Sequence, residues 1–550
     1  MLKKLRLASV VLAVVITSMF TCICAAADEG PFTEEAVLLQ EGGLYETADE
    51  LSMPLYDAVQ ASTAFENAVV AACTSFRTEL DVSGFYIPKT DIGASYFAVL
   101  NRHPELFYVK GSISYYSSNG YATKVIIKYN YTQTEAAPMI TAFDAAVNEF
   151  KKGLDMTWTE TERALYVHEY LLLECEYVSG YYDIYNLLVN KRGVCQAYAL
   201  ATNYLLDIAG IESKFVSSSA LNHAWNLIEI DGELYFSDVT WDDPVSDVKG
   251  RACHKNFLNG QNKFISNGHN STDWTHEGVN VYKTSVSTKY DSYFWDTMRA
   301  PLYPYGDKWA YTVDGNIGLY DFGTDTHETI HSINSIWYVN GVSGTYYLSN
   351  YSGLGLWGDY LVYNDQHNLY MIDASAADPE PIKVYTLDDT SKGFIYGLWD
   401  RPDNTVQLIL RADASSSVTL KSVTLSAPFS IDTQPENFEG KIGDTAKFTV
   451  AATGAVSYQW QQNTGNGWTD IATNAARKPS ISIVISQARL GYSYRCVVSD
   501  GTNTLTTNAV KMILDEEFAL TAQPENFKGK IGDTAKFTVA ATGVTSYQWQ

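Results

Sequence analysis

Residues 192–211 read RGVCQAYALATNYLLDIAGI, and residues 222–244 read NHAWNLIEIDGELYFSDVTWDDP. In the first stretch Leu205, Leu206 and Ile208 continue a helical pattern that Gly210 closes as a C-terminal cap. Cys195 therefore opens a helix. The backbone N–H groups of a first turn have no partner within the helix, and with the helix dipole they favour a thiolate there. The second stretch reads as a hairpin. Asn222 to Ile230 is one strand, Asp231-Gly232 is a two-residue turn, and Glu233 to Asp238 returns. Pairing Ile230 with Glu233 places His223 opposite Thr240 and Trp225 opposite Asp238. His223 and Asp238 are then diagonal neighbours on one face, within side-chain reach. A carboxylate there can hold an imidazole in one tautomer and stabilise its cation. Asp243-Pro244 breaks the ladder beyond them.

A cysteine on a helix start and a His/Asp couple on a hairpin together supply the parts of nucleophilic acyl chemistry. The thiolate attacks an acyl carbon, the imidazole moves a proton, and the carboxylate orients the imidazole. A lone cysteine or histidine is more commonly a core or surface residue, so the argument rests on the combination.

These two stretches resemble the transglutaminase-like core of the papain-like fold superfamily. The matching elements are Gly193-Val194-Cys195, Tyr198-Ala199, His223-Ala224-Trp225-Asn226 and Asp238-Val239-Thr240-Trp241, in that order. The resemblance covers about 155–285. It implies an α+β papain-like core, with Cys195 as nucleophile, His223 as general base and acid, and Asp238 as orienting carboxylate. Tyr177 is a candidate second oxyanion donor beside the Cys195 N–H, and Trp225 and Trp241 are expected to wall the site or fill the core. Ala197 departs from the glycine of many relatives and could crowd the nucleophile.

Further out, the chain has 550 residues, 46% hydrophobic and 18% charged, an ordinary globular composition. Its formal charge of -25 disfavours nucleic acid and anionic membranes as partners. Lys3, Lys4 and Arg6 precede an apolar run from Leu7 to about Ile23, and Ala25 to Ala27 follow. That order is a secretory signal over residues 1–27, and no later stretch is apolar enough for a membrane span. Removing Cys22 and Cys24 leaves Cys73, Cys175, Cys195, Cys253 and Cys496. The odd, scattered set is no disulfide framework, and a free thiol is explained either by burial or by catalysis.

Gln434–Gln461 and Gln523–Gln550 are near copies that differ only at Glu439/Lys528, Ala455/Val544 and Val456/Thr545. The complete copy resembles an immunoglobulin-type sandwich. Trp460 stands at the core tryptophan position, and Tyr494 two residues before Cys496 is placed as in a tyrosine corner. Phe448-Thr449-Val450 occupies the strand that would carry a first cysteine. The second copy stops in mid-domain, which gives the chain the look of a fragment. Between the core and the repeats, GDKWAYTVDGNIGLYD from Gly306 and GDYLVYNDQHNLYMID from Gly358 resemble each other and are expected to be propeller-like blades.

The expected organisation is a signal at 1–27 and an N-terminal α/β region at 28–155. A catalytic domain at 156–285 and a β-rich blade-like region at 286–428 follow. An immunoglobulin-like domain at 429–515 and a truncated repeat at 516–550 complete it. In the N-terminal region Leu55 to Leu80 reads helical and Thr123 to Tyr131 as a strand. No cofactor or metal is expected. Cys253-His254, His269 and His276 lack zinc spacing, and Asp307, Asp314, Asp321, Asp325 and Asp373 lack calcium-loop spacing. Two functions fit: a secreted cysteine acyl-transfer enzyme acting on a protein or cell-wall peptide, or a non-catalytic surface protein whose C-terminal modules bind glycan or wall.

Overall fold

In a computed structural model the described residues are 62–243, 249–338, 346–348, 351–388, 393–401, 404–412, 417–515, 519–542 and 546–550. The expected secretory signal lies outside them, as do residues 55–61 of the expected first helix. The chain divides into two compact units, Met1–Thr424 and Leu425–Gln550.

The first unit begins with α1 (Thr63–Thr74), β1 (Glu79–Asp81), α2 (Ile92–Arg102), β2 (Val109–Ser118) and β3 (Tyr121–Tyr129). The helix expected to run to Leu80 stops at Thr74. Leu80 instead pairs with Val125 as an edge strand of the sheet β1-β3-β2, where both side chains are buried. Val125 and Ile127 point into the core while their neighbours do not, the period-2 alternation expected of a sheet with one covered face.

Two helices then pack the central core: α3 (Gln133–Gly153) and α4 (Glu160–Glu174). Each starts on a reciprocal capping box, Thr132 with Glu135 and Thr159 with Glu162, which satisfies first-turn donors. After β4 (Glu176–Tyr177), α5 (Ile184–Leu188) and β5 (Arg192–Gly193) comes α6 (Cys195–Ile208). Gly210 follows it with φ +72°, the left-handed conformation a helix end uses.

A five-stranded antiparallel sheet lies against α6. Its strands are β6 (Ser213–Ser218), β7 (His223–Ile230), β8 (Glu233–Ser237), β9 (Thr275–His276) and β10 (Val279–Asn280), in the order β10-β9-β6-β7-β8. Asp231 and Gly232 both have positive φ (53° and 78°), which fits the twist of a two-residue hairpin turn. Ile230 pairs with Glu233, as the turn requires. The ladder ends sooner than the sequence reading placed it. Its last pair is Asn226 with Ser237, so His223 does not face Thr240, nor Trp225 Asp238. Asp238 leaves the strand and caps the short helix α7 (Val239–Asp242).

The hydrophobic core runs through residue 285 without a break. Trp295, Trp309 and Tyr320 share one cluster with Leu165, Leu171 and Leu206, and Trp309 Nε1 donates to Glu162 Oε1 at 3.0 Å. Beyond it, two four-stranded antiparallel meanders follow. The first uses Tyr303–Tyr305, Lys308–Val313, Asn316–Asp321 and Thr326–Ser332. The second uses Leu354–Trp357, Tyr360–Asn364, Asn368–Ile372 and Ile382–Thr386. A three-stranded sheet from Phe394 to Thr424 ends the unit. These are open sheets and no closed barrel forms among the described residues.

In the second unit, Ser457–Asn463 pairs with Ser493–Ser499, and Thr445–Thr449 pairs with Ser480–Val484. Phe438–Gly440 runs parallel to Val510–Leu514. This is an immunoglobulin-like sandwich. Trp460 lies directly opposite Cys496, and both are fully buried. Phe448 packs against Tyr494 and Trp460. Cys496 is a free thiol. The Tyr494 hydroxyl has no hydrogen-bond partner, so this tyrosine packs in the core without the bond that defines a tyrosine corner.

Candidate active site

Cys195 is the first residue of α6, and Val194 precedes it in extended conformation. Gly193 is required there by space. A Cβ at that position would lie 2.6 Å from Leu187 Cδ1 and 2.9 Å from the Ala197 methyl. Ala197 is accommodated because residue 193 has no side chain. The parallel pair of β4 and β5 sets Tyr177 beside Gly193, two residues before Cys195, where Tyr177 is half-buried.

His223 begins β7, and Asn226 on the same strand ties that strand to α6. Its Nδ2 donates to Ala199 O at 2.9 Å and to Asn203 Oδ1 at 2.7 Å. The distance between cysteine helix and histidine strand is thus fixed by a buried amide. His223 Nε2 meets Asp238 Oδ2 at 2.7 Å, which leaves Nδ1 for the hydrogen bond with the Cys195 side chain. Cys195, His223 and Asp238 are all buried.

Asp238 uses both carboxylate oxygens. Oδ2 accepts from His223 and also from His269 Nε2 at 2.8 Å, and Oδ1 accepts the Trp241 N–H at 3.2 Å. His269 is a member of this group that the sequence reading set aside. Phe264 stacks on its ring at 3.6 Å and Trp241 closes the other side at 4.1 Å. Trp241 also stacks on His223 at 4.8 Å. Gly268 lets it lie there: a Cβ would come within 2.6 Å of the Trp241 ring, and its φ of +127° excludes most side chains. Trp225 is a core residue, packed with Phe264 and Trp274.

The electrostatics separate the two imidazoles. Burial acts to lower the His223 pKa, but the charge and hydrogen bond of Asp238, joined by those of Cys195, push it up to about 10. Burial alone would raise the Asp238 carboxyl, yet His223 and then His269 hold it well below the usual carboxylate range. For His269 burial wins over Asp238 and brings it down to about 4. The two imidazoles are thus shifted in opposite directions, His223 toward its cation and His269 toward its neutral form. Burial pushes Cys73 and Cys496 up to about 11 and Cys175 to about 12.

Behind α7 a second polar layer holds Asp238 in place. Its N–H donates to Asn256 O at 2.9 Å. Asn256 N donates to both oxygens of Asp242 at 3.0 Å, and Asp242 Oδ2 meets His168 Nε2 at 3.2 Å. The Tyr198 hydroxyl donates to Asp243 Oδ2.

Residues 148–241 match the family model of the transglutaminase-like superfamily, and the chain carries a domain of that kind there. No curated protein matches the chain. Among solved structures, DIP-gamma IG1+IG2 is 10% identical, over 38% of this chain and 91% of that one, with a TM-score of 0.15. An I-band fragment of titin is 12% identical, over 39% and 63%, with a TM-score of 0.15.

Proposed function

We propose that the chain is a secreted cysteine acyl-transfer enzyme acting on peptide or glutamine amides, with Cys195, His223 and Asp238 as its catalytic residues. The observation that carries this reading is one imidazole held between a helix-initiating cysteine and a buried carboxylate. In this reading the Cys195 thiolate attacks the amide carbonyl and a C–S bond forms. The first-turn N–H groups of α6, that of Cys195 included, face the developing oxyanion. The C–N bond then breaks, and the His223 imidazolium gives its proton to the departing amine. A thioester remains. Neutral His223 next takes a proton from water or from an acceptor amine, and the incoming group displaces the thiolate. Water gives hydrolysis, and an amine gives a cross-link. The fold alone does not choose between them.

In this proposal residues 156–285 carry the chemistry, while the sheets of 286–428 and the sandwich of 429–515 present it to a surface or a polymeric substrate. Among the described residues no helix is long and apolar enough to cross a membrane.

The test pairs turnover with thiol labelling. Glutamine-containing and wall-type peptides are offered with and without a primary amine, and product is followed by mass spectrometry. Cys195→Ala is expected to abolish turnover, and His223→Ala to lower it by about 10²–10⁴-fold. Native iodoacetamide labelling is expected to modify Cys195 ahead of Cys73, Cys175 and Cys496, and to slow in His223→Ala. Turnover that survives Cys195→Ala would refute the reading.

A further inference from the structure

We propose that His168, Glu169 and His254 form a site for one divalent transition-metal ion, Zn²⁺ fitting the donor set best. The site is separate from the Cys195 group and independent of the activity proposed above.

Three observations carry this. The first is geometry. One donor atom from each of the three residues lies within 4.8 Å of the others, and all three side chains are buried, with at most 3% exposure. The donors come from adjacent positions of α4 and from a residue 85 positions after Glu169. This is why the spacing around Cys253-His254 shows no zinc pattern.

The second is unmet bonding capacity. His168 Nδ1, Glu169 Oε2 and His254 Nδ1 have no hydrogen-bond partner. A buried polar atom left without one costs about 1–3 kcal/mol. Buried side-chain polar atoms are otherwise almost always satisfied, so three in one cluster call for a ligand.

The third is the donor chemistry. Two imidazoles and a carboxylate are a donor set that zinc takes with three protein ligands. His168 also has the second-layer partner such ligands use. Its Nε2 meets Asp242 Oδ2 at 3.2 Å, which fixes the ring and leaves Nδ1 for an ion. The His254 Nε2 contact to Glu169 Oε1 joins the two side chains, and His254 Nδ1 and Glu169 Oε2 are the atoms left without a partner.

An ion there joins α4 to the segment that carries Asn256. Asn256 in turn receives the Asp238 N–H and donates to Asp242. The ion thus braces Asp238 from behind without touching the Cys195 group.

The test uses the full chain. The protein is stripped with chelator, reloaded with Zn²⁺ or Co²⁺, dialysed against metal-free buffer, and assayed by elemental analysis and visible absorption. One ion per chain is expected, with Co²⁺ d–d bands. His254→Ala is expected to lose stoichiometric binding. His254→Cys retains a ligand and is expected to keep the ion and add a sulfur-to-Co²⁺ charge-transfer band, a readout that folding alone cannot mimic. Asp242→Asn is expected to weaken binding about 10–100-fold. His269→Ala is expected to keep the ion. Loss in His269→Ala with retention in His254→Ala would move the ion to His223, Asp238 and His269 and overturn the proposal. So would wild-type protein that takes up neither ion, which would leave His254 and Glu169 as a buried ion pair.

Discussion

Gln434–Gln461 and Gln523–Gln550 share 25 of 28 residues and meet different fates. In the first copy Phe448 is 1% exposed and Trp460 0%. Their counterparts Phe537 and Trp549 are 49% and 57% exposed. One pairing is retained in both. Ala540–Thr542 pairs with Ala519–Ala522, as Ala451–Thr453 pairs with Ser430–Thr433. In the first copy Thr445–Thr449 and Ser457–Asn463 are paired by Ser480–Val484 and Ser493–Ser499. Identical local preference therefore yields a buried strand only where a distant strand covers it, in line with the weak intrinsic character of β propensity.

The sharpest way to break this comparison is one substitution made twice. Trp460→Ala is expected to destabilise the sandwich by about 3–5 kcal/mol, and Trp549→Ala to stay within about 0.5 kcal/mol. Urea unfolding read by hydrogen exchange of residues 445–499 measures both. Equal losses would mean that the second copy is packed after all. Appending a copy of residues 462–515 after Gln550 should reverse the asymmetry, with Trp549 emission shifting to the blue; unchanged emission would argue that partner strands are not what is missing.

The same rule applies to the start of α6, where the short motif depends on its surroundings. Gly193→Ala drives a methyl into Leu187 and Ala197 and is expected to cost about 1–3 kcal/mol. Ala197→Gly should recover part of that loss, because the two positions are in contact. A purely additive double mutant would show that the crowding is not between them.

A pH dependence is also expected. The folded pKa of His269, about 4, lies below its ordinary 6.5, so the unfolded state binds more protons in that window. Stability should then rise with pH from about 4 to 6.5, by up to about 1.4 kcal/mol per pH unit. His223, raised to about 10, contributes fully below 6.5 and loses its contribution as pH climbs through 10. Denaturant unfolding followed by near-ultraviolet dichroism should show a maximum near 6.5. His269→Gln should flatten the acid limb, and an acid limb that persists in that variant would assign it to other groups.

Much of the fold was legible where a local signal is strong. The Asp231-Gly232 turn set the register of β7 and β8, and Gly210 marked the end of α6. The transglutaminase-like domain and the sandwich were both readable from short motifs. The meeting of His223 with Asp238 was anticipated, but by another route. Asp238 reaches the imidazole as a helix cap, not as a member of the ladder, because the strand ends at Ser237. The sequence reading named Asn226 and His269 but could not reach their roles. Asn226 acts across to α6, and His269 arrives from a segment with no periodic pattern, 31 residues after Asp238. The unbonded Tyr494 hydroxyl shows the converse: a spacing can match a motif while the bond that gives the motif its meaning is not made.

The repeat has one more consequence. Residues 462–550 contain the later strands of the sandwich followed by a fresh set of the earlier ones, so they hold a full 89-residue period read from a different starting point. That is a circular permutant written into the chain. Permuted chains commonly fold when the new join lies in an exposed connection. A chain from which residues 434–461 are deleted is expected to rebuild the sandwich with Trp549 in the place of Trp460. A deleted chain whose Trp549 stays solvent-exposed would show that the copies are not interchangeable.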